Sequence, residues 1–299
     1  MIDPALISLI AFAAVLVALL GLRELAWKVV VSVLALATRL ATPLAVSRAL
    51  VRDAPITTWF ARRFPRTYGF AAARLDPDTF TGLPLTLLVA AAIYLAALFG
   101  GLIDDLREAE GLVRFDLAAD HLVSYARGEP GFAIFLWITE LGGGPTFTAV
   151  GLVATAFLVI EQRIYFIPAL WTTLVGAQLT TWISKYAIGR TRPEFLDVAS
   201  SASPSFPSGH STAAVAVYGF LAYIIVRHIA SRRLRFEVIY WTSVLVALIG
   251  FSRIYLRLHF LSDVLSGFLV GGFWLLVGVV VSEWSHDRAR NAGTKDTRD

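Results

Sequence analysis

Residues 252–281 read Ser252-Arg-Ile-Tyr-Leu-Arg-Leu-His259-Phe-Leu-Ser-Asp263, then Val264-Leu-Ser-Gly-Phe-Leu-Val-Gly-Gly-Phe-Trp-Leu-Leu-Val-Gly-Val-Val-Val281. The second part carries no charge and, with its flanks, reaches the roughly 20 residues needed to cross about 30 Å of hydrocarbon. The first part sets two arginines, a histidine and an aspartate at its edge. The same arrangement recurs twice. Lys185-Tyr-Ala-Ile-Gly-Arg190-Thr-Arg192-Pro193 closes one apolar run, and Pro207-Ser208-Gly209-His210 opens another. Polar clusters confined to the ends of long apolar segments predict an all-α, polytopic membrane protein with its chemistry at the membrane surface.

Composition agrees. The chain is 57% hydrophobic and 16% charged, with a mean hydropathy of +0.69, too apolar for a soluble globule to cover. Candidate spans fall near 5–22, 83–103, 146–162, 165–187, 209–228, 237–258 and 264–283. The run Gly131–Leu141, ended by Gly142-Gly143-Gly144-Pro145, is too short to cross and is expected to dip in as a half-helix. Met1-Ile-Asp3-Pro4 lacks the basic start of a secretory signal, so the first run reads as a membrane anchor. Trp27–Leu50 is apolar but interrupted by Arg39 and Pro43, which predicts a helix lying in the interface. Three regions follow: an anchor with a basic interfacial segment (1–82), a membrane core (83–284) and a polar tail (285–299). With no cysteine, disulfides, thiolate metal sites and cysteine nucleophiles are excluded.

The net charge of +4 and pI near 9.5 do not point to nucleic acid, because the basic residues are scattered beside apolar spans, where a membrane surface explains them. Lys and Arg collect on cytoplasmic loops. Region 23–82, the loop Arg227–Arg235 and the tail with Arg288, Arg290 and Lys295 are the basic segments, and threading the spans puts all three on one side. The opposite side receives the acidic loop 104–130 and all three polar clusters. Lys185, Arg190, Arg192, Arg253 and Arg257 thus gather on the face that should be poor in cations. Glu194, Asp197 and Asp263 are too few to neutralise them, so an anionic ligand is expected.

The residue types fit a phosphate. Phosphoryl transfer asks for positioning and for stabilisation of charge on the equatorial oxygens. The planar fork of arginine meets two oxygens at once, so Arg192 and Arg253 form the clamp, with Lys185 as a third charge. A helix starting after Ser208 offers unpaired N–H groups, and Gly209 lets the backbone approach an oxygen. Ser208 is a preferred cap that also has a hydroxyl to offer, and capping and ligand contact are compatible through its backbone N–H. His259 and Asp263 stand one helical turn apart, so the carboxylate fixes one ring nitrogen and leaves the other to attack phosphorus. His210 is left to protonate the departing alkoxide. His121, His228 and His286 receive no role. Zinc motifs are absent, paired carboxylates suited to magnesium do not occur in the clusters, and five cations repel a divalent ion. No cofactor or metal is expected.

These residues carry a resemblance. Lys-x6-Arg-Pro, Pro-Ser-Gly-His and Ser-Arg-x5-His-x3-Asp are the three parts of a signature, and the chain resembles the integral membrane branch of the type-2 phosphatidic acid phosphatase, or lipid phosphate phosphatase, superfamily. The resemblance implies a six-transmembrane-helix core over about 83–284. It implies a phosphohistidine at His259 oriented by Asp263, with His210 as acid and then base. Phosphate would be held by Lys185, Arg192, Ser208, Gly209 and Arg253. Residues 1–82 lie outside it. Arg257 stands where a small or neutral residue is frequent, and Phe260-Leu261-Ser262 where an aromatic-proline pair is. The expected partner is a lipid phosphate or pyrophosphate, such as polyprenyl (undecaprenyl) pyrophosphate, phosphatidylglycerol phosphate, phosphatidic acid or lipid A phosphate. It would be met on the outer leaflet of a bacterial cytoplasmic membrane. A lipid phosphotransferase and a non-catalytic lipid-phosphate binder or transporter share most of these features. The His259–Asp263 pairing speaks against the binder.

Overall fold

Apolar side chains in lipid leave the backbone no partner but itself, so spanning segments must be helical. The computed structural model describes residues 4–52, 54–108, 110–193 and 203–296, and among these all regular structure is helix. The chain divides into two compact units, Met1–Thr86 and Leu87–Asp299.

In the first unit, α1 (Pro4–Arg52) is one continuous helix. Neither Arg39 nor Pro43 interrupts it, so the expected separation of an anchor from an interfacial helix at 27–50 does not occur. Two short helices follow, α2 (Pro55–Arg63) and α3 (Pro65–Arg74), each opened by a proline where the missing N–H is harmless. Neither buries a residue. Trp59, Phe60, Phe64 and Phe70 are exposed beside Arg62, Arg63, Arg66 and Arg74, the mixture of helices that lie on a membrane.

The second unit holds almost all of α4 (Leu83–Glu108), then α5 (Glu110–Ser124), α6 (Glu129–Glu140), α7 (Gly144–Ile160), a 3-10 turn (Ile164–Phe166), α8 (Ile167–Ile188), α9 (Gly209–His228), α10 (Arg232–Tyr255) and α11 (Leu261–Asp296). Among the described residues four helices, α4, α9, α10 and the Leu261–His286 part of α11, are long and apolar enough to cross a membrane. The pair α6 and α7, bent by 44°, meets the same length and apolarity only when taken together, as a broken span or a re-entrant loop. The protein is an integral membrane protein. The short run expected at 131–141 is helical, within α6, and the bend falls at the glycine run that follows it. The acidic segment 104–130, expected as a loop, is mostly helical in α4 and α5, and α11 runs on through the stretch expected as a polar tail. The predicted span 165–187 forms a helix, α8, less apolar than the four.

α9 is the centre of the second unit. It buries Ser211, Thr212, Ala213, Ala214, Ala216, Val217, Phe220, Ala222 and Ile224. Val217, Phe220 and Ile224 pack with Leu158, Phe166, Leu170 and Leu174. Polar groups at membrane depth find partners: Trp171 Nε1 donates to Thr155 Oγ1 at 3.1 Å, and Trp274 Nε1 to Thr180 Oγ1 at 2.9 Å. α11 packs closest to α9. A Cβ at Gly267 would lie 2.6 Å from the Ser208 carbonyl oxygen and 2.8 Å from Ser211 Cβ, and one at Gly271 2.7 Å from both the Thr212 carbonyl oxygen and Val215 Cβ. Small residues four apart let two backbones meet in the way membrane helices use. At the far end Phe166 meets His228 and Tyr165 meets His286 edge to face, which gives two of the histidines without a role a packing function.

Gly267→Ala should therefore destabilise the protein by about 1–3 kcal/mol through overpacking. Gly69→Ala, with no heavy atom within 4 Å of the added methyl, should not destabilise it, since alanine favours the helix. Thermal unfolding in detergent checks both.

Candidate active site

α8 ends at Gly189, whose φ of 66° closes the helix with a left-handed cap. The chain then runs extended through Arg190, Thr191 and Arg192 beside residues 203–205. Ser205 donates its N–H to the Arg190 carbonyl at 2.8 Å and its hydroxyl to the Thr191 carbonyl at 3.0 Å. Lys185 Nζ donates to the Pro204 carbonyl at 2.5 Å. Arg192 donates from Nε to the Ser203 carbonyl and from Nη1 to the Leu258 carbonyl, both at 3.0 Å. The first cluster is thus tied to the third and to the segment 203–205 that leads into the second.

Ser208 caps α9. Its side chain accepts from the Ser211 N–H at 3.4 Å and from the Ser211 hydroxyl at 3.0 Å. Its own N–H donates to the Asp263 carbonyl at 2.9 Å. This corrects the expectation that Ser208 can cap the helix and still offer its N–H to a ligand. The N–H groups of Gly209 and His210 have no protein acceptor among the described residues. A Cβ at Gly209 would meet nothing nearer than Thr181 Cγ2, at 3.7 Å, so protein packing does not demand a glycine there. His210 is within electrostatic reach of Arg253, His259, Arg192 and Lys185.

The third cluster turns from α10 into α11. The Arg253 carbonyl accepts the N–H groups of Leu258 and His259, and Arg257 takes a φ of 54°, a conformation that disfavours a residue with a Cβ. Arg253 is 6% exposed. Its Nη1 donates to Thr139 Oγ1 at 2.7 Å, while its buried Nε has no partner among the described residues. His259 is 3% exposed, with Nδ1 3.4 Å from Asp263 Oδ2 but without hydrogen-bond geometry. Asp263 also accepts the Phe260 N–H at 3.0 Å and Arg190 Nη1 at 2.6 Å. Burial pushes the His259 imidazole down to about 3; the charges of Arg253 and Arg192 act in the same direction and Asp263 opposes them. The ring is neutral at ordinary pH.

The cation count needs correction. Arg190 pairs with Asp116 at 2.7 Å as well as with Asp263, and Arg257 pairs with Asp120 at 3.0 Å. Both partners come from α5, in the acidic segment. Only Lys185, Arg192 and Arg253 of the five lack a carboxylate partner among the described residues, and they are held by carbonyls and hydroxyls. Glu194 and Asp197 lie outside the described residues. Sequence reasoning missed Asp116 and Thr139. The acidic bias of 104–130 facing a cation cluster on the same side was the available signal for Asp116; Thr139 had none.

Arg192, His259, Arg257, Asp120 and Pro193 line a cavity of about 410 Å³. A larger one of about 540 Å³, apolar and lined by Val215, Gly219, Val246 and Phe268 among others, lies between α9, α10 and α11 and includes none of these groups. The first takes in Arg192 and His259 of the predicted site; Lys185, Arg253, Ser208, Gly209 and His210 are not on its lining. Carboxylate-free cations, a helix N-terminus and a neutral imidazole backed by a carboxylate together suit a tetrahedral oxyanion and attack upon its centre.

An all-helical membrane protein with a buried cationic site built from three helix ends is the class that fold and geometry define. The sequence model of the PAP2 superfamily matches residues 166–287, the segment that contains all three clusters. The chain is 33% identical over 143 residues to phosphatidylglycerophosphatase B of Bacillus subtilis (strain 168), which covers 45% of this chain and 70% of that protein. It is 32% identical over 123 residues to a lipid A 1-phosphatase of Rhizobium etli, covering 38% of this chain and 48% of that one. The crystal structure of a transmembrane PAP2-type phosphatidylglycerolphosphate phosphatase from Bacillus subtilis superposes with a TM-score of 0.58 at 27% identity, over 66% of this chain and 96% of the other. The chain belongs to the PAP2 superfamily of type-2 phosphatidic acid phosphatases.

The neutral, buried His259 carries a pH signature. Its folded-state value lies below the ordinary 6.5, so between the two the unfolded chain binds a proton that the folded chain refuses, and stability rises with pH there. The contribution is complete above about 6.5 and is lost as pH falls toward about 3. Melting temperatures in detergent from pH 7 to 4 should fall less steeply for His259→Gln than for the unaltered protein.

Proposed function

We propose that this protein is a membrane-embedded, metal-independent phosphatase that removes phosphate from a lipid phosphate or pyrophosphate through a phosphohistidine intermediate. The carrying observation is the convergence of Lys185, Arg192 and Arg253, none held by a carboxylate, on the neutral His259 and the open N-terminus of α9.

In this reading Arg192, Arg253 and Lys185 neutralise the phosphoryl oxygens, and the Gly209 and His210 N–H groups add donors at the helix start. Asp263 faces Nδ1, leaving Nε2 to attack. The Nε2–phosphorus bond forms as the bond to the lipid oxygen breaks, and that oxygen takes a proton from His210, which enters the step as the imidazolium. Neutral His210 then removes a proton from water, whose oxygen bonds phosphorus as the Nε2–phosphorus bond breaks. Phosphate leaves and both histidines regain their starting states. The donor set favours an anion over a divalent ion, so the charge stabilisation that a metal gives elsewhere is assigned to the arginines.

Six crossing segments, α4, α7, α8, α9, α10 and α11, form the core, with residues 1–82 as an accessory membrane segment. The basic loop after α9 stands at the opposite end of that helix from His210, which supports a site on the extracytoplasmic face of a bacterial cytoplasmic membrane. Relatives named for phosphatidylglycerophosphate and lipid A 1-phosphate make glycerophospholipid and lipid A monophosphates the first substrates to test, before phosphatidic acid and polyprenyl pyrophosphate.

Purified protein in detergent with EDTA should release phosphate from at least one of these lipids, and His259→Ala should reduce release by about three orders of magnitude or more, as loss of a covalent nucleophile does. Release that needs added metal, or survives in the variant, would sink the reading. A reporter inserted between Arg227 and Arg232 should read as cytoplasmic; an external signal would move the site to the inner leaflet.

A further inference from the structure

Asp116 is a carboxylate on α5, outside all three clusters, 2% exposed, and unused by the mechanism above. It accepts Arg190 Nη2 at 2.7 Å, the Ser262 N–H at 2.9 Å and the Ser262 hydroxyl at 2.6 Å. Arg190 in turn donates from Nη1 to Asp263 Oδ1 at 2.6 Å and to Ser262 Oγ at 2.8 Å, and lies 4.3 Å from the centroid of the Phe260 ring. Asp263 Oδ2 faces His259 Nδ1. A continuous line of charge therefore runs from α5 to the nucleophile: Asp116, Arg190, Asp263, His259.

We propose that Asp116 is a positioning residue that, through Arg190, sets the charge and orientation of Asp263 behind His259. This rests on the phosphohistidine reading. Arg190 alone would cancel the Asp263 charge just where the imidazole becomes cationic on bonding to phosphorus. Asp116 offsets Arg190, so the three groups together keep one net negative charge behind the ring, in a buried setting where such a charge acts strongly. Ser262, bonded to both Asp116 and Arg190, fixes the distance between them. Arg190 also occupies Oδ1 of Asp263, which directs Oδ2 to Nδ1. A buried acid serving only to neutralise Arg190 would be weak evidence of purpose, since such pairs seldom stabilise a fold. Here its partner's second hydrogen bond ends on the acid that backs the nucleophile.

The test is a double-mutant cycle on the full-length protein in detergent, reading kcat and KM for the preferred lipid phosphate and the rate at which acid-labile phosphoenzyme forms. Asp116→Asn should lower kcat and phosphoenzyme formation by about tenfold or more while KM stays within about twofold, and in an Arg190→Gln background the same change should alter kcat by less than about twofold. A loss of equal size in both backgrounds, or a loss confined to KM, overturns the proposal. Should Asp116→Asn not fold, Ser262→Ala replaces it. That variant should lower kcat several-fold at constant KM, and an unchanged kcat is the overturning result. Activity retained by His259→Ala overturns this inference and the phosphohistidine reading together. Activity lost in His259→Ala with an additive Asp116 effect overturns this inference alone.

Discussion

The Ser208 N–H to Asp263 carbonyl hydrogen bond, 2.9 Å long, ties the start of α9 to the start of α11, and the site depends on that junction. It exists because Gly267 and Gly271 let the two backbones approach more closely than any side chain would permit. Once the helices meet there, the N-terminus of α9 and the His259–Asp263 pair face one another with no further element needed to align them. The turn between α10 and α11 then has one place to go, and Arg253 and His259 are fixed by it. Sequence-distant clusters become one site through a helix contact whose two permissive glycines lie outside both.

The five gathered cations divide by the kind of partner the fold gives them. Arg190 and Arg257 are matched to carboxylates on α5. Lys185, Arg192 and Arg253 are matched to neutral oxygens, which orient a charged group without cancelling it. That division is a physical statement about which charges are internal to the fold and which remain to meet an anion. The buried Arg253 Nε, with no partner of its own among the described residues, lies on the second side.

The apolar runs made the membrane helices legible, because lipid leaves a backbone no choice but to be helical and side chains of about the right length and hydropathy say where. His259 with Asp263 was legible from one-turn spacing, and the Ser208 cap from residue type. Other features depended on what lies across space. That α1 continues through Pro43 was not readable, since one proline removes only one hydrogen bond from a long ladder. α5 lacked a long apolar signature, and the pairing of its Asp116 with Arg190 joins residues 74 positions apart, beyond any local pattern. The occupied Ser208 N–H was equally hidden, because its acceptor belongs to another helix.

α1 has 49 residues and so rises about 74 Å, more than twice the hydrocarbon thickness of a bilayer. An unbroken helix of that length satisfies its backbone equally well in water, headgroups or lipid. No end or break within it marks a boundary between one solvent and another. Any stretch of such a rod that meets lipid can adjust to bilayers of different thickness by sliding or tilting, without unfolding a single turn.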